Sequence, residues 1–501
     1  MAGVIDAALK AALKAATTGS TTANERALVR ELMPEAYGAL RAWAEAPRSE
    51  EQLAAAGLMP VMKDTTRISS RYPTAVNRTE DPLTQQLTID LPSYMRPTPR
   101  GDPFTQNMEL VTSYPGFAKF KGMPAEDVFR GASDQMAGNM QFIRENSPEA
   151  FLQRSPLWYE GANEISSALA DRWGVPRQSA SGALAALSPQ KDWFQNVSNA
   201  ERTGDILFGP AASRRMTSDM VNTYRGIESL NKPTNAAIFR AIQGKSLQQV
   251  LDDPVAAAMW IRLFDEAHNA PTYRSITPEG MFGPLVLTDK GVPANRAWNS
   301  GSEIAKAVRS LQSGGDMNII SPAMGQANKV RSFFNNIELP MDRLYGDVTG
   351  DTHQVAAAQL RPLSGNSYAV AHNFGNSLDP KFQLADFPGH ASSSSLTGIG
   401  GTYPLYVDAT RAFARGNQML PRAGQSQAWE AVRELFPDTF KTAKNMSVID
   451  DIWRAHDRGE ISLDQARKLI LNFAAPSGIA APSWAQSGLA VAPATRSSTY
   501  R

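Results

Sequence analysis

Leu187-Ser188-Pro189-Gln190-Lys191-Asp192-Trp193 decides how this chain is read. Upstream, Ser179 to Leu187 is a run of small and apolar residues that predicts a short helix. Ser188-Pro189 stops it, because proline lacks an N–H and disfavours the α region for the residue before it. Asp192 is placed to cap a second helix by accepting a backbone N–H, with Trp193 and Val197 on the buried face. Gln190 and Lys191 then occupy a tight polar turn between two helices.

Helical periodicity continues on both sides. Met136, Met140 and Ile143 recur at i, i+4, i+7, one helix face. Ile165, Leu169 and Trp173 share another, which Gly174 and Pro176 end. Further helices are expected over Ala256–Ala267, Asn328–Ile337, Asp351–Leu360, Tyr403–Gly416, Gln425–Phe436 and Ser462–Phe473, the last with Ser462 as its cap. Gly280–Gly291 reads as a short hairpin or a loop excursion.

The expected fold class is therefore mainly α. Residues 1–57 form an Ala-rich helical segment. Residues 58–124 form a Pro-rich irregular arm, since Pro92, Pro97, Pro99 and Pro103 forbid a continuous helix. A helical domain follows over 125–440. Helices at 441–480 and a disordered Ala/Pro/Ser/Thr tail at 481–501 complete the chain.

Composition removes several function classes. There is no cysteine, hence no disulfide, thiol nucleophile, Cys-ligated zinc or Cys-held iron–sulfur cluster. The five histidines, at 268, 353, 372, 390 and 456, show no H-x-x-x-H spacing. Net charge is +1 in 501 residues, so any nucleic-acid binding comes from a local patch. No apolar run approaches the ~18 residues that span a bilayer. The first residues lack a secretory signature. The expected location is cytoplasmic, with no membrane partner.

Asp351 follows Gly350 and precedes an apolar-periodic segment, at the positive end of a helix dipole that favours its ionised form. Such a carboxylate can stabilise a developing cation or take a proton. The ordinary alternative, compatible with it, is a helix cap. His353 could orient a group or shuttle a proton, or simply bond to backbone. Lys329 and Arg331 open an apolar helix after Gly325-Gln326-Ala327-Asn328. A turn at a helix start offers N–H groups to a phosphate, and the two cations reinforce it. The alternative is a capped amphipathic helix with solvated cations. Lys191 suits a phosphate contact and Gln190 a base edge, unless the turn merely joins two helices. Trp193 is expected in the core, while Trp158, Tyr159 and Trp260 suit either core or stacking. Asp347 and Asp351 lack an evident third ligand, so no metal site is expected.

Taken in order, the LSPQ turn, the KVRSFFNNI helix and the GDTHQVAAA segment resemble the helix–hairpin–helix DNA glycosylase superfamily over roughly Trp158 to Leu363. Three positions carry over: Gln190 as the residue that enters DNA, Lys329 as the hairpin lysine, and Asp351 as the catalytic aspartate. Within that superfamily the pattern is similar to the phage amino acid:DNA transferases of thymidine hypermodification. The resemblance implies that residues 125–440 are a glycosylase-like catalytic helical domain, with an insertion at about 217–320 because the LSPQ turn and Asp351 stand further apart than in the family. It implies transfer of an amino acid, probably glycine, onto phosphorylated 5-hydroxymethyluracil in phage DNA, with displacement of phosphate and protection from host restriction. Partners would be DNA and a free amino acid, with a functional link to a DNA-base kinase, in the cytoplasm of an infected bacterium. No cofactor is implied. Asp351, Lys329 and His353 would be catalytic, with Gln190, Lys191, Asn328 and Arg331 on DNA or phosphate and Arg331 or Arg361 on the amino-acid carboxylate. Two alternatives stay open: a DNA glycosylase with Lys329 as Schiff-base nucleophile, and a non-enzymatic virion or DNA-associated structural protein.

Overall fold

The computed structural model describes residues 103–474, apart from 223, 225–232, 289, 325–327, 343–345, 366 and 374–401. The expectations for 1–57, for most of the arm, for the Gly325 turn and for the tail lie outside the described residues. The described chain is mainly α, and its helices sort into two apolar cores.

The elements that matter below are α1 (Pro103–Val111), α2 (Ala125–Glu145), α3 (Trp158–Trp173), α4 (Arg177–Ala186), α5 (Trp193–Phe208), α6 (Pro254–His268), β1 (Arg274–Ile276), β2 (Phe282–Leu285), α7 (Gly301–Leu311), α8 (Asn328–Glu338), α9 (Thr352–Gln359), α10 (Tyr403–Gly416), α11 (Pro421–Leu435), α12 (Ala443–Asp457) and α13 (Leu463–Ala474). Shorter helices connect them.

The inner core draws on residues 162–337. At its centre lies α4, whose Ala180, Ala183, Leu184 and Ala185 are fully buried. A helix apolar on all sides is stable only when other helices cover it. Here α3, α7 and α8 pack around it. The approach to α7 is close: a Cβ at Gly182 would stand 2.8 Å from the Ser310 Cβ. The stretch read as an insertion supplies much of this core, through Trp260, Ile261 and Leu263 on α6 and Ile304 on α7. It is integral because α7 packs directly on α4, and α6 packs on α7.

The outer core is built from two distant pieces of chain, residues 108–151 and 348–470. Helix α2 runs along α10 and α9; Ser133 Oγ donates to Asp408 Oδ2 at 2.5 Å, and Asn139 Nδ2 to the Ala358 carbonyl at 2.8 Å. Two boundaries move. The arm does not extend to 124: from Pro103 the chain is helical, since proline is tolerated in a first helical turn, and Met108, Val111, Tyr114 and Phe117 are buried. The helices after 441 are not an appendage either: Ile449, Trp453, Ala466 and Ile470 are fully buried in the outer core.

A hairpin forms as antiparallel β1 and β2, starting earlier in the chain than the stretch Gly280–Gly291 that reads as a hairpin or a loop excursion. Its tip seats on α3 at Gly161, where an added Cβ would lie 2.0 Å from the Pro278 carbonyl oxygen. Among the described residues, no helix is long and apolar enough to cross a membrane.

Candidate active site

A cleft of about 90 Å³ opens where the two cores meet. One water needs about 10–15 Å³, so the space admits several waters or one small molecule. The inner side contributes Ser188 and Lys191 from the turn before α5, Trp193 and Asn196 from its first turn, and Lys329 and Phe333 from α8. The outer side contributes Thr349, Asp351 and, from α11, Gln425, Ser426 and Trp429. Helix α3 lines the cleft with Trp158, Tyr159 and Ala162.

Asp351 is held from behind. Its Oδ1 accepts the backbone N–H groups of His353 and Gln354 at 2.9 and 3.0 Å, capping α9. The residues before it are fixed by Tyr403, whose hydroxyl donates to the Val348 carbonyl at 2.7 Å and accepts the Gly350 N–H at 2.9 Å. Glycine fits at 350 because an added Cβ would come within 3.1 Å of the Tyr403 ring.

Lys329 extends to the opposing turn, where Nζ donates to the Ser188 carbonyl at 3.1 Å. Burial pulls its pKa down, while the negative charges of Asp351 and Glu303 pull it back up. Lys191 is half-buried and lowered in the same way, with Glu303 and Asp192 opposing. Two cations and one carboxylate thus share a poorly hydrated space, where charge interactions are strong.

The walls are aromatic. Trp193 and Tyr159 each meet the Phe333 ring edge-on, at 5.9 and 6.1 Å between centroids. Trp158 meets Trp429 in the same way at 5.8 Å. Trp158 is oriented by Nε1–H donation to Glu430 at 2.8 Å, and Tyr159 by donation to Gln425 Oε1 at 2.6 Å. Arg433 stacks on Trp429 at 4.5 Å. Behind this wall, burial pushes Glu430 up to about 6 and, with the Glu430 charge adding to it, Glu434 up to about 7.

Two polar atoms of the lining lack partners among the described residues: Ser188 Oγ and Asn196 Oδ1, on residues 5% and 1% exposed. A buried unpaired acceptor costs about 1–3 kcal/mol.

The sequence-predicted residues divide. Lys329, Asp351 and Lys191 come together at the cleft. Gln190 does not line it; it projects from the adjoining turn, exposed, with φ at 56° in the left-handed region. His353 stands behind the wall, its ring edge-on to Trp429 at 6.0 Å. Burial lowers its pKa to about 4, so it is neutral at pH 7. It does not line the cleft and reaches it only through its contact with Trp429. Asn328 begins α8, and its side chain lies outside the described residues.

Arg331 is a correction. It is 2% exposed and bonded to Ser321 at 3.4–3.5 Å, turned into the protein where no phosphate reaches it. Arg361 is another: it pairs with Asp450 at 2.8 Å and donates to Gln359 at 3.0 Å in the outer core, away from the cleft. Asp347 accepts from Asn335 at 2.7 Å, and the described residues contain no group of three His, Cys, Asp or Glu suited to a metal.

Trp193 packs, partly buried, against the inner core and also lines the cleft, while Trp260 is fully buried. Asn196, Gln425 and Trp429 escaped the sequence reading. Gln425 and Trp429 share a face at i, i+4 of an expected helix, but nothing in sequence told that face from a core face.

A profile described as a family of unknown function (DUF7178) matches residues 131–235. That stretch holds the cleft residues of α3, of the 188–191 turn and of α5; Lys329 and Asp351 lie beyond it. No curated protein and no solved structure matches the chain.

Proposed function

We propose that this protein transfers an amino acid, glycine first among candidates, onto phosphorylated 5-hydroxymethyluracil in phage DNA. The observation that carries the reading is the meeting of Lys329, Lys191 and Asp351 in one aromatic-walled cleft, from three separate places in the chain. The expected helix–hairpin–helix glycosylase-like ancestry belongs to this proposal.

A base inside a duplex has to leave the stack before an enzyme reaches it. The aromatic walls offer flat surfaces to such a base, and stacking on them is worth about 1–3 kcal/mol. Gln190, exposed and held in a strained turn, is placed to fill the space the base leaves. In the reaction the amine nitrogen attacks the exocyclic carbon at position 5. A C–N bond forms, the C–O bond to phosphate breaks, and the phosphate leaves with the bonding electrons. Asp351 takes the proton the attacking amine must lose, a service worth about 10²–10⁴ in rate. Lys329 and Lys191 neutralise the departing phosphate. With Arg331 and Arg361 committed elsewhere, Lys191 is also the candidate for the amino-acid carboxylate.

The test is incubation with DNA bearing phosphorylated 5-hydroxymethyluracil and a mixture of amino acids, then digestion and mass spectrometry of the nucleosides. A nucleoside carrying one amino-acid residue is the expected product. An unaltered nucleoside pool on every modified substrate sinks the proposal and favours a structural role.

One observation favours a second reading. A desolvated Lys329, with its pKa drawn down by burial, is closer to the free amine that a Schiff base requires. A DNA glycosylase using Lys329 and Asp351 would release free base and leave an abasic site.

A further inference from the structure

The cleft lining is rich in donors and poor in open acceptors. Lysine offers donors only, which covers Lys191 and Lys329. Gln425 Oε1 is taken by Tyr159, Ser426 Oγ donates to Ala423, and Thr349 Oγ1 accepts from Asn336. Asp351 Oδ1 is spent on its cap. There remain Asp351 Oδ2, which the proposed reaction uses for the proton, and the buried and unpartnered Asn196 Oδ1 and Ser188 Oγ.

Asn196 contrasts with its neighbours on α5. Gln195 donates to Asp192 at 2.5 Å and accepts from the Ala297 N–H at 3.0 Å. Asn199 donates to Asn299 at 2.8 Å and accepts from Arg296. Buried polar atoms are almost always hydrogen-bonded, and the exceptions call for a cause. At the wall of a cleft the natural cause is a ligand that completes them.

We propose that Asn196 and Ser188 read the hydrogen-bonding edge of the base, and that this edge is an imide. Asn196 Oδ1 accepts a single ring N–H, while Asn196 Nδ2 and Ser188 Oγ donate to the two flanking carbonyls. Uracil-type bases present that pattern, one donor between two acceptors. Cytosine presents an amino group in place of one carbonyl, which would face donors. The inference rests on the reading that the cleft receives a pyrimidine from DNA, and it adds the residues that choose which one.

The test measures binding of the full chain to single-stranded oligonucleotides by fluorescence anisotropy. The oligonucleotides carry one 5-hydroxymethyluracil, its N3-methyl derivative, or 5-hydroxymethylcytosine. The wild type is expected to bind the first about tenfold more tightly than the other two, the size of one well-placed base contact. Asn196→Ala and Ser188→Ala are expected to bring the ratios towards one. The N3-methyl comparison needs no variant, so it decides even if a substitution disturbs folding. Equal binding of all three by the wild type, or full discrimination kept by Asn196→Ala, overturns this inference alone. No binding to any oligonucleotide overturns the proposed function with it.

Discussion

Lys329 and Asp351 line one cleft, yet each is rooted in a different core. Lys329 stands on α8, whose Val330, Phe334 and Ile337 belong to the inner core. Asp351 caps α9, whose Val355 and Ala356–Ala358 belong to the outer core. The pair therefore depends on how the two bodies are set against each other, and each residue also has a local structural duty. Separating duty from chemistry is the aim of the first experiment.

Asp351→Asn retains an oxygen that caps α9, so its stability should stay within about 1 kcal/mol of wild type. It loses the charge that accepts a proton. Turnover on phosphorylated 5-hydroxymethyluracil DNA should fall about 10²–10⁴-fold. Thermal denaturation and single-turnover assays on the same preparation check both halves, and undiminished turnover removes Asp351 from the chemistry.

Glu434 gives a pH signature. Its folded pKa, about 7, lies above the ordinary 4.5, so the folded state keeps a proton that the unfolded chain releases. That contribution is complete below about pH 4.5 and is lost as pH rises through 7. Glu434→Gln carries no such loss. The variant should match wild type near pH 4.5 and exceed it by about 1–2 kcal/mol at pH 8, after allowance for solvent screening. Urea titrations at both pH values would show it; a constant difference between them contradicts the assignment.

Gln190 occupies the left-handed region at 56°, which costs a non-glycine residue about 1–2 kcal/mol. Gln190→Gly should raise stability by about 0.5–1 kcal/mol, since glycine's greater unfolded-state freedom offsets part of the relief. Affinity for DNA should fall. A variant both more stable and fully active on DNA would leave the strained side chain without a purpose.

Two of the basic residues first assigned to phosphate, Arg331 and Lys191, should behave oppositely. Arg331→Ala empties a buried site and is expected to destabilise the fold by about 2–4 kcal/mol. Lys191→Ala should leave the melting temperature almost unchanged and weaken DNA binding, lowering the salt slope of log K by about one. Melting curves and binding isotherms at several salt concentrations distinguish them.

Local structure was legible where one residue's chemistry sufficed. Asp192 and Asp351 cap α5 and α9, Ser462 caps α13, and Gly174 ends α3 in the left-handed region, as their positions in the sequence indicate. The meeting of Lys329 with Asp351 followed from the family resemblance, not from spacing. What periodicity does not carry is direction in space. Lys329 and Arg331 are two residues apart on α8, so they point to different sides of the helix, one into the cleft and one into the core. The reading treated them as a pair. Nor does a run of small residues reveal which helix covers it; the stretch holding α6 and α7 reads as an insertion from the long separation between the LSPQ turn and Asp351, and that separation says nothing of where the stretch packs.

The nesting of the two cores has a consequence for the order of assembly. The inner core is contained in residues 162–337, so a growing chain holds all of its parts before Asp351 is made. The outer core pairs residues 108–151 with residues 348–470 and must wait for nearly the whole described chain. Contacts so far apart in sequence are slow to close on entropic grounds. Lys329 thus belongs to the part that forms early, and Asp351 to the part that forms last. A chain interrupted before residue 348 would hold every residue of the inner core and the lysine wall, and have nothing to set opposite it.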